Sequence, residues 1–193
     1  MRKSKIETAE TRQRIVEAAA GEFRRSGVHA AGVADIMAAA GLTHGGFYRH
    51  FGSKDDLVAE VCGYAMKGVV ERCETAASEA GGGGELNAIL ASYLSPDHRD
   101  SRTGGCPLAG FGSEIAHADA VARDATTSGL EDLLEVLAKR MKRRSSQLAQ
   151  GDAILALSAM VGAITLSRIV TDAALSNTIL AMAKEGIAGR VAR

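Results

Sequence analysis

Tryptophan is absent from this 193-residue chain, proline occurs twice, cysteine three times, and the net charge at pH 7 is zero. Each scarcity excludes something. With so little proline, long stretches are free to run as uninterrupted helix. Cys62, Cys73 and Cys106 are an odd set without close spacing, which fits neither a disulfide framework nor a zinc motif and points to a reducing cytoplasm. His98 and His117 lack ligand spacing to other candidates, so no metal is expected. The basic N-terminus is followed by no apolar core and cleavage site, so it does not read as a signal peptide. The longest apolar-rich stretch, 153–170, is interrupted by Ser158, Thr165, Ser167 and Arg168 and reads as a buried helix, not a membrane span. Phosphate-loop, dinucleotide-binding and nucleophile-elbow patterns are missing, and Gly81–Gly84 lacks the Lys-Ser/Thr of a nucleotide loop. Neither catalysis nor a cofactor is expected.

What is present is helical periodicity. Apolar residues make up 46 % of the chain and charged residues 24 %, the balance of a folded, helix-rich protein. Ile15, Ala18, Ala19 and Phe23 fall on one face between Thr8 and Arg25, giving an amphipathic first helix that Gly27 ends. Val33, Ile36, Met37 and Ala40 repeat the spacing over about two turns, with Gly32 where an N-cap belongs. Ala40-Gly41-Leu42-Thr43 then supplies a glycine able to take positive φ, an apolar plug and a hydroxyl suited to capping a third helix, His44 to about Phe51. Phe47 and Phe51 at i and i+4 face inward, leaving the start of that helix free to meet a ligand.

Ser53, with Asp56 three residues on, caps a long fourth helix bearing Leu57, Val61, Ala65, Val69 and Cys73. Gly81–Gly84 stops it as a flexible connection. A helix follows near Glu85–Leu94, then a polar loop over Pro96–Gly105, and Pro107 opens another short helix. Further helices are expected at about Asp119–Arg144, Asp152–Val170 and Asn177–Val191, with no strand pattern. The fold class is all-α.

The zero net charge hides an asymmetry. Residues 1–54 carry nine Lys and Arg against five Asp and Glu, a net +4, and the remainder carries −4. A basic module joined to an acidic body points to a nucleic-acid partner for the module. Arg2, Lys3 and Lys5 form either a basic arm for DNA or a solvated tail, and Lys139–Arg144 reads as a basic cap on a helix's negative end.

The run Gly41-Leu42-Thr43-His44-Gly45-Gly46-Phe47-Tyr48-Arg49-His50-Phe51-Gly52-Ser53-Lys54-Asp55-Asp56-Leu57 resembles the DNA-binding segment of TetR/AcrR-family regulators, and the likeness extends from about Thr11. Gly105-Cys106-Pro107-Leu108-Ala109, with Phe111 and Glu114, is similar to the C-terminal half of an LmrA/YxaF-like subgroup. The resemblance implies a three-helix DNA-binding domain over 1–53 and a larger helical effector-binding and dimerisation domain over 54–193. It implies a homodimeric, ligand-released repressor on near-palindromic double-stranded operator DNA. Where the family often has Ser or Thr at the start of the second helix, this chain has Ala30-Ala31-Gly32, which removes a hydroxyl for phosphate.

In such a motif the start of the recognition helix enters the major groove, placing Thr43, His44 and Gly45 at base edges. Tyr48, Arg49, His50 and Lys54 are expected on phosphates, Lys54 with its amine beside the first-turn amides of the fourth helix. Small residues Ala156, Ala159, Gly162 and Ala163 and apolar Leu155, Leu166 and Ile169 are the expected dimer surface, core packing being the alternative. Leu108, Phe111, Glu114, Ile115, Met141, Leu157 and Met160 are candidates to line an effector pocket or, alternatively, core, with Glu114 solvated or paired with Arg123 if not in the pocket. Cys106, partly exposed at a helix start, is a candidate redox or electrophile sensor. That sensor role, and a DNA-binding activator or architectural protein without an effector, stay open beside the repressor.

Overall fold

The computed structural model describes residues 5–101, 104–141 and 145–191, and every regular element among them is helical. In chain order these are α1 (Lys5–Ser26), α2 (Val33–Ala39), a 3₁₀ helix η1 (His44–Arg49), α3 (Lys54–Ala80), α4 (Glu85–Tyr93), α5 (Pro96–Asp100), α6 (Pro107–Ile115), α7 (Ala120–Ala138), α8 (Ser146–Ile169) and α9 (Ala173–Val191). The all-α expectation holds. Arg2, Lys3, Lys142, Arg143 and Arg144, the bulk of the two basic clusters, lie outside the described residues.

Three local departures from the sequence reading have physical causes. The recognition element is a 3₁₀ helix of six residues, because Gly45 and Gly46 are poor helix formers and the chain tightens to i→i+3 bonds such as Gly46 N–H to Thr43 O at 2.9 Å. The stretch read as a polar loop contains α5, which Ser95 opens by accepting the His98 N–H at 3.1 Å, with Pro96 in the first turn. Gly81, Gly82 and Gly83 form a tight left-handed turn, all at positive φ (51°, 59° and 93°).

The chain divides into two compact units, residues 1–66 with 102–128, and residues 67–101 with 129–193. Of the three boundaries, those after residues 66 and 128 fall inside helices, α3 and α7, and the one after residue 101 falls between α5 and α6. The first unit is built on Ile15, Ala19 and Phe23 of α1, Ile36 and Met37 of α2, Phe47 and Phe51, Leu57 and Val61 of α3, and Phe111 and Ile115 of α6, all buried. In the second, α8 packs along α9, α4 also meets α9, and α5 meets α8. Asp152 of α8 takes Arg190 of α9 at 2.9 Å, and Arg168 donates to the carbonyls of His98 and Arg99 at the end of α5.

Among the described residues, α8 is the one helix long and apolar enough to cross a membrane by length and composition. Ala153, Ala156, Leu157, Met160, Ala163 and Ile164 on one side of it are buried in the second unit. Leu148, Leu155, Leu166 and Ile169 are exposed, so the helix has two apolar sides, one of them uncovered in the single chain. This corrects the expected dimer surface in detail: Ala156 and Ala163 pack inward, while Leu155, Leu166 and Ile169 face out. On α9, Leu175 and Met182 are likewise exposed. A half-open pocket of about 260 Å³ lies between these two helices, lined by Leu155, Ala156, Ala159, Met182 and Ile187 together with the paired Asp152 and Arg190.

Candidate nucleic-acid interface

The turn between α2 and η1 follows from one glycine. Gly41, at φ 70°, lets the Leu42 N–H reach Met37 O at 2.8 Å while its own N–H meets Ala38 O at 2.9 Å, the paired bonds of a helix stop. Leu42 then packs partly buried against the core, and the chain re-enters helix at His44. A Cβ at Gly41 would meet nothing within 4 Å, so the glycine is required by its backbone angle and not by crowding.

Phe47 anchors η1. Its ring is fully buried, stacked on Phe51 at 5.5 Å and met edge-on by Tyr48 at 5.2 Å, and the Arg12 guanidinium lies 4.1 Å over the Phe51 ring. With the inward side so filled, Thr43, His44, Gly45, Tyr48 and Arg49 are all exposed, Tyr48 by 68 %. His50 and Lys54 are half-buried. Thr43 sits at the N-cap position with extended backbone, yet its hydroxyl makes no cap bond, contrary to the capping expectation. A side chain at Gly45 would point into open space, whereas one at Gly46 would approach Met37 to 3.5 Å. The residues from Thr43 to Gly45 therefore offer a hydroxyl, an imidazole and unobstructed backbone together.

Lys54 differs from expectation. Its Nζ donates to the His29 carbonyl in the α1–α2 turn at 3.3 Å instead of lying over the amides of its own helix. Those amides are served by Ser53, whose Oγ accepts the Asp56 N–H at 3.0 Å as the sequence suggests. The basic count of the first unit also overstates what is available to a partner. Arg12 is paired with Glu60, Arg25 with Glu22 at 2.7 Å, and Arg24 donates to Ala20 O and Gly105 O at 3.0 Å each.

The residues expected around an effector are shared between the two units. Phe111 and Ile115 belong to the core of the first unit, Phe111 meeting Phe23 edge-on at 6.2 Å, and Leu108 is half-buried. Met141, Leu157 and Met160 are buried in the second unit. Glu114 is neither solvated nor turned to Arg123: its carboxylate accepts the N–H of Val28 at 2.9 Å and of His29 at 3.0 Å. Cys106 is the N-cap residue of α6 but only 1 % exposed, which corrects its expected partial exposure, since Gly105, Cys106 and Pro107 are buried as a group. Burial also pushes the Cys62 thiol up from its ordinary value, a bond with the Thr126 side chain opposing this and the Asp119 charge adding to it. No group of three or more His, Cys, Asp or Glu among the described residues is placed to hold a metal.

Sequence reasoning missed Arg24, the Val28 and His29 amides, and α5. Only the last had a local signal, the Ser95-Pro96 pair at a helix start.

A three-helix, glycine-turned motif with its aromatic pair inward and its polar edge outward is the architecture of a helix-turn-helix DNA-binding protein. Residues 15–61 match the family described as bacterial regulatory proteins, tetR family. An uncharacterised HTH-type transcriptional regulator of Mycobacterium tuberculosis (strain ATCC 25618 / H37Rv), Rv0196, is 31 % identical over 180 residues, covering 83 % of this chain and 86 % of that protein. The AcrR regulator of Shigella flexneri is 43 % identical over 60 residues, 31 % of this chain and 28 % of that protein, so this likeness is confined to one segment. A TetR transcriptional regulator from Chloroflexus aurantiacus superposes with a TM-score of 0.80 at 28 % identity, covering 97 % of both chains. The chain belongs to the TetR family of transcriptional regulators. None of these relatives places it in the LmrA/YxaF-like subgroup.

Proposed function

We propose that the chain acts as a homodimer on near-palindromic operator DNA and is a repressor released by a small-molecule effector. Thr43, His44 and Gly45 read base edges, and Tyr48, Arg49, His50 and Lys54 hold phosphates. The observation that carries this reading is the division of η1 into a fully buried Phe47 and an exposed polar edge from Thr43 to Arg49. Nothing in the core requires those exposed residue types. Residues 1–53 make up the DNA-binding domain and 54–193 the effector and dimerisation domain.

Dimerisation is supported by the uncovered apolar row on α8 and α9, where Leu166 is 54 %, Ile169 69 % and Met182 54 % exposed. A dimer places two recognition elements on half-sites about 34–36 Å apart, or a multiple of this, which predicts dyad symmetry in the operator. Effector control rests on family membership, with Leu108, Phe111, Ile115, Met141, Leu157 and Met160 the apolar pocket candidates and motion of α3 the proposed output. An effector acts only through a difference in affinity for the DNA-competent and incompetent states. Selection of bound duplexes from a random DNA library by the full-length chain tests the reading. A consensus with dyad symmetry is expected, and an unsymmetrical consensus or none contradicts it. Screening compounds for release of the selected duplex then tests the repressor half.

A further inference from the structure

Gly27 ends α1 at φ 84°, and the next two backbone N–H groups, Val28 and His29, point to one place. Successive amides after a left-handed residue make a concavity that suits an anion. The chain fills it with its own carboxylate, from Glu114 of α6, more than eighty residues away in sequence. A Cβ at Gly27 would sit 3.0 and 3.1 Å from the two Glu114 oxygens, so the glycine serves the close approach as well as the backbone angle.

The His29 residue is held from both sides. Its N–H donates to Glu114 and its C=O accepts from Lys54 Nζ. Two further ties keep α6 on α1: Arg24 donates to Gly105 O just before α6, and Phe111 meets Phe23 edge-on. Phe111 itself has non-helical backbone (φ −143°, ψ 30°), a kink in α6 one turn before Glu114. The carboxylate, the turn and the ammonium form one continuous hydrogen-bonded path from α6 to the start of α3.

We infer that Glu114 is a positioning residue for the DNA interface: by clamping the Val28–His29 amides it fixes the carbonyl that holds the Lys54 ammonium, so that Lys54 meets phosphate in a set place. The inference rests on the DNA-binding reading above, and it predicts energetic coupling between Glu114 and Lys54, which do not touch. Removing Glu114 frees the lysine to sample many positions and removing Lys54 takes the contact away altogether, so removing both costs no more than removing Lys54 alone.

The test uses the full-length chain, a duplex selected by the wild type, and fluorescence anisotropy at several salt concentrations. Glu114→Ala and Lys54→Ala are each expected to weaken binding about tenfold, the scale of one charge-assisted hydrogen bond. Each is expected to lower the salt slope by about 0.9, one phosphate's worth. The double variant is expected to match the single ones. Losses that multiply in the double variant overturn the inference and leave Glu114 a structural cap alone. Glu114→Gln, which keeps the shape but has only one oxygen for the two N–H groups, repeats the cycle if the alanine variant does not fold. Amide exchange at Val28 and His29 in the DNA-free protein reads the clamp separately. Faster exchange in Glu114→Gln is expected, and unchanged exchange overturns the clamp whatever DNA does. A wild type that selects no duplex, with the exchange result intact, overturns the DNA-binding reading and leaves the clamp standing.

Discussion

Phe47 and Tyr48 are neighbours in η1 with opposite surroundings, so replacing each with alanine separates what holds the motif from what the motif presents. Phe47 is 0 % exposed and stacked on Phe51, while Tyr48 is 68 % exposed. Phe47→Ala removes a fully buried ring and leaves a cavity in the core of the first unit, a loss of about 3–5 kcal/mol. Of that, about 0.5–1.5 kcal/mol is the ring pairing. For a chain of this size the melting midpoint should fall by roughly 10 °C. Tyr48→Ala gives up an edge contact on an open surface and should stay within about 0.5 kcal/mol of wild type. Urea unfolding followed by circular dichroism measures the first effect, and anisotropy on a selected duplex measures the second. The expected pattern is Phe47→Ala unstable and Tyr48→Ala stable but weak on DNA. A Phe47→Ala chain as stable as wild type, or a Tyr48→Ala chain that melts early with DNA binding intact, would refute the division of η1.

Gly41→Ala should cost about 1–2 kcal/mol in the same unfolding assay through its positive φ alone, because its Cβ finds open space; no loss would mean that the turn rearranges freely. Cys62, Cys73 and Cys106 are all buried, so native protein should resist iodoacetamide while urea-unfolded protein reacts at all three, and rapid native labelling of Cys106 would revive its sensor reading. Because the folded Cys62 thiol titrates above its ordinary value, its contribution to stability is complete at neutral pH and is lost as pH rises past about 8.5, where the unfolded thiol ionises first. Cys62→Ala should therefore show a shallower alkaline loss of stability than wild type, and an identical slope would contradict the burial argument. Leu166→Glu with Ile169→Glu should give a folded monomer by sedimentation, with weak half-site binding; a persistent dimer would place the interface elsewhere.

Much of the first unit was legible because its determinants are local. A glycine that must take positive φ, two phenylalanines four apart, a serine cap before two aspartates and a proline at a helix start each act within one or two turns. Gly41, Phe47, Phe51, Ser53 and Pro107 stand as read. What was hidden depends on contacts distant in sequence. Nothing near Glu114 reveals that it caps amides more than eighty residues earlier, or near Lys54 that its ammonium turns to His29. Cys106 illustrates the same limit, since a helix-start position gave no hint of its burial. Along α8 both sides are apolar, and periodicity cannot choose which faces inward when Ala156 and Leu155 are adjacent. The shortened geometry of η1 did have a local cause, the Gly45-Gly46 pair, whose low helix propensity outweighs the pull of the apolar spacing around it.

Whether the exposed edge of η1 reads DNA is decided by the affinity of wild type and His44→Ala for a selected duplex and for a scrambled one. His44→Ala is expected to lose affinity for the selected sequence by about tenfold, the worth of one base contact, while its binding to scrambled DNA and its salt slope stay as in wild type. Equal affinity of both proteins for the selected duplex, together with equal discrimination against the scrambled one, would contradict that role for the edge.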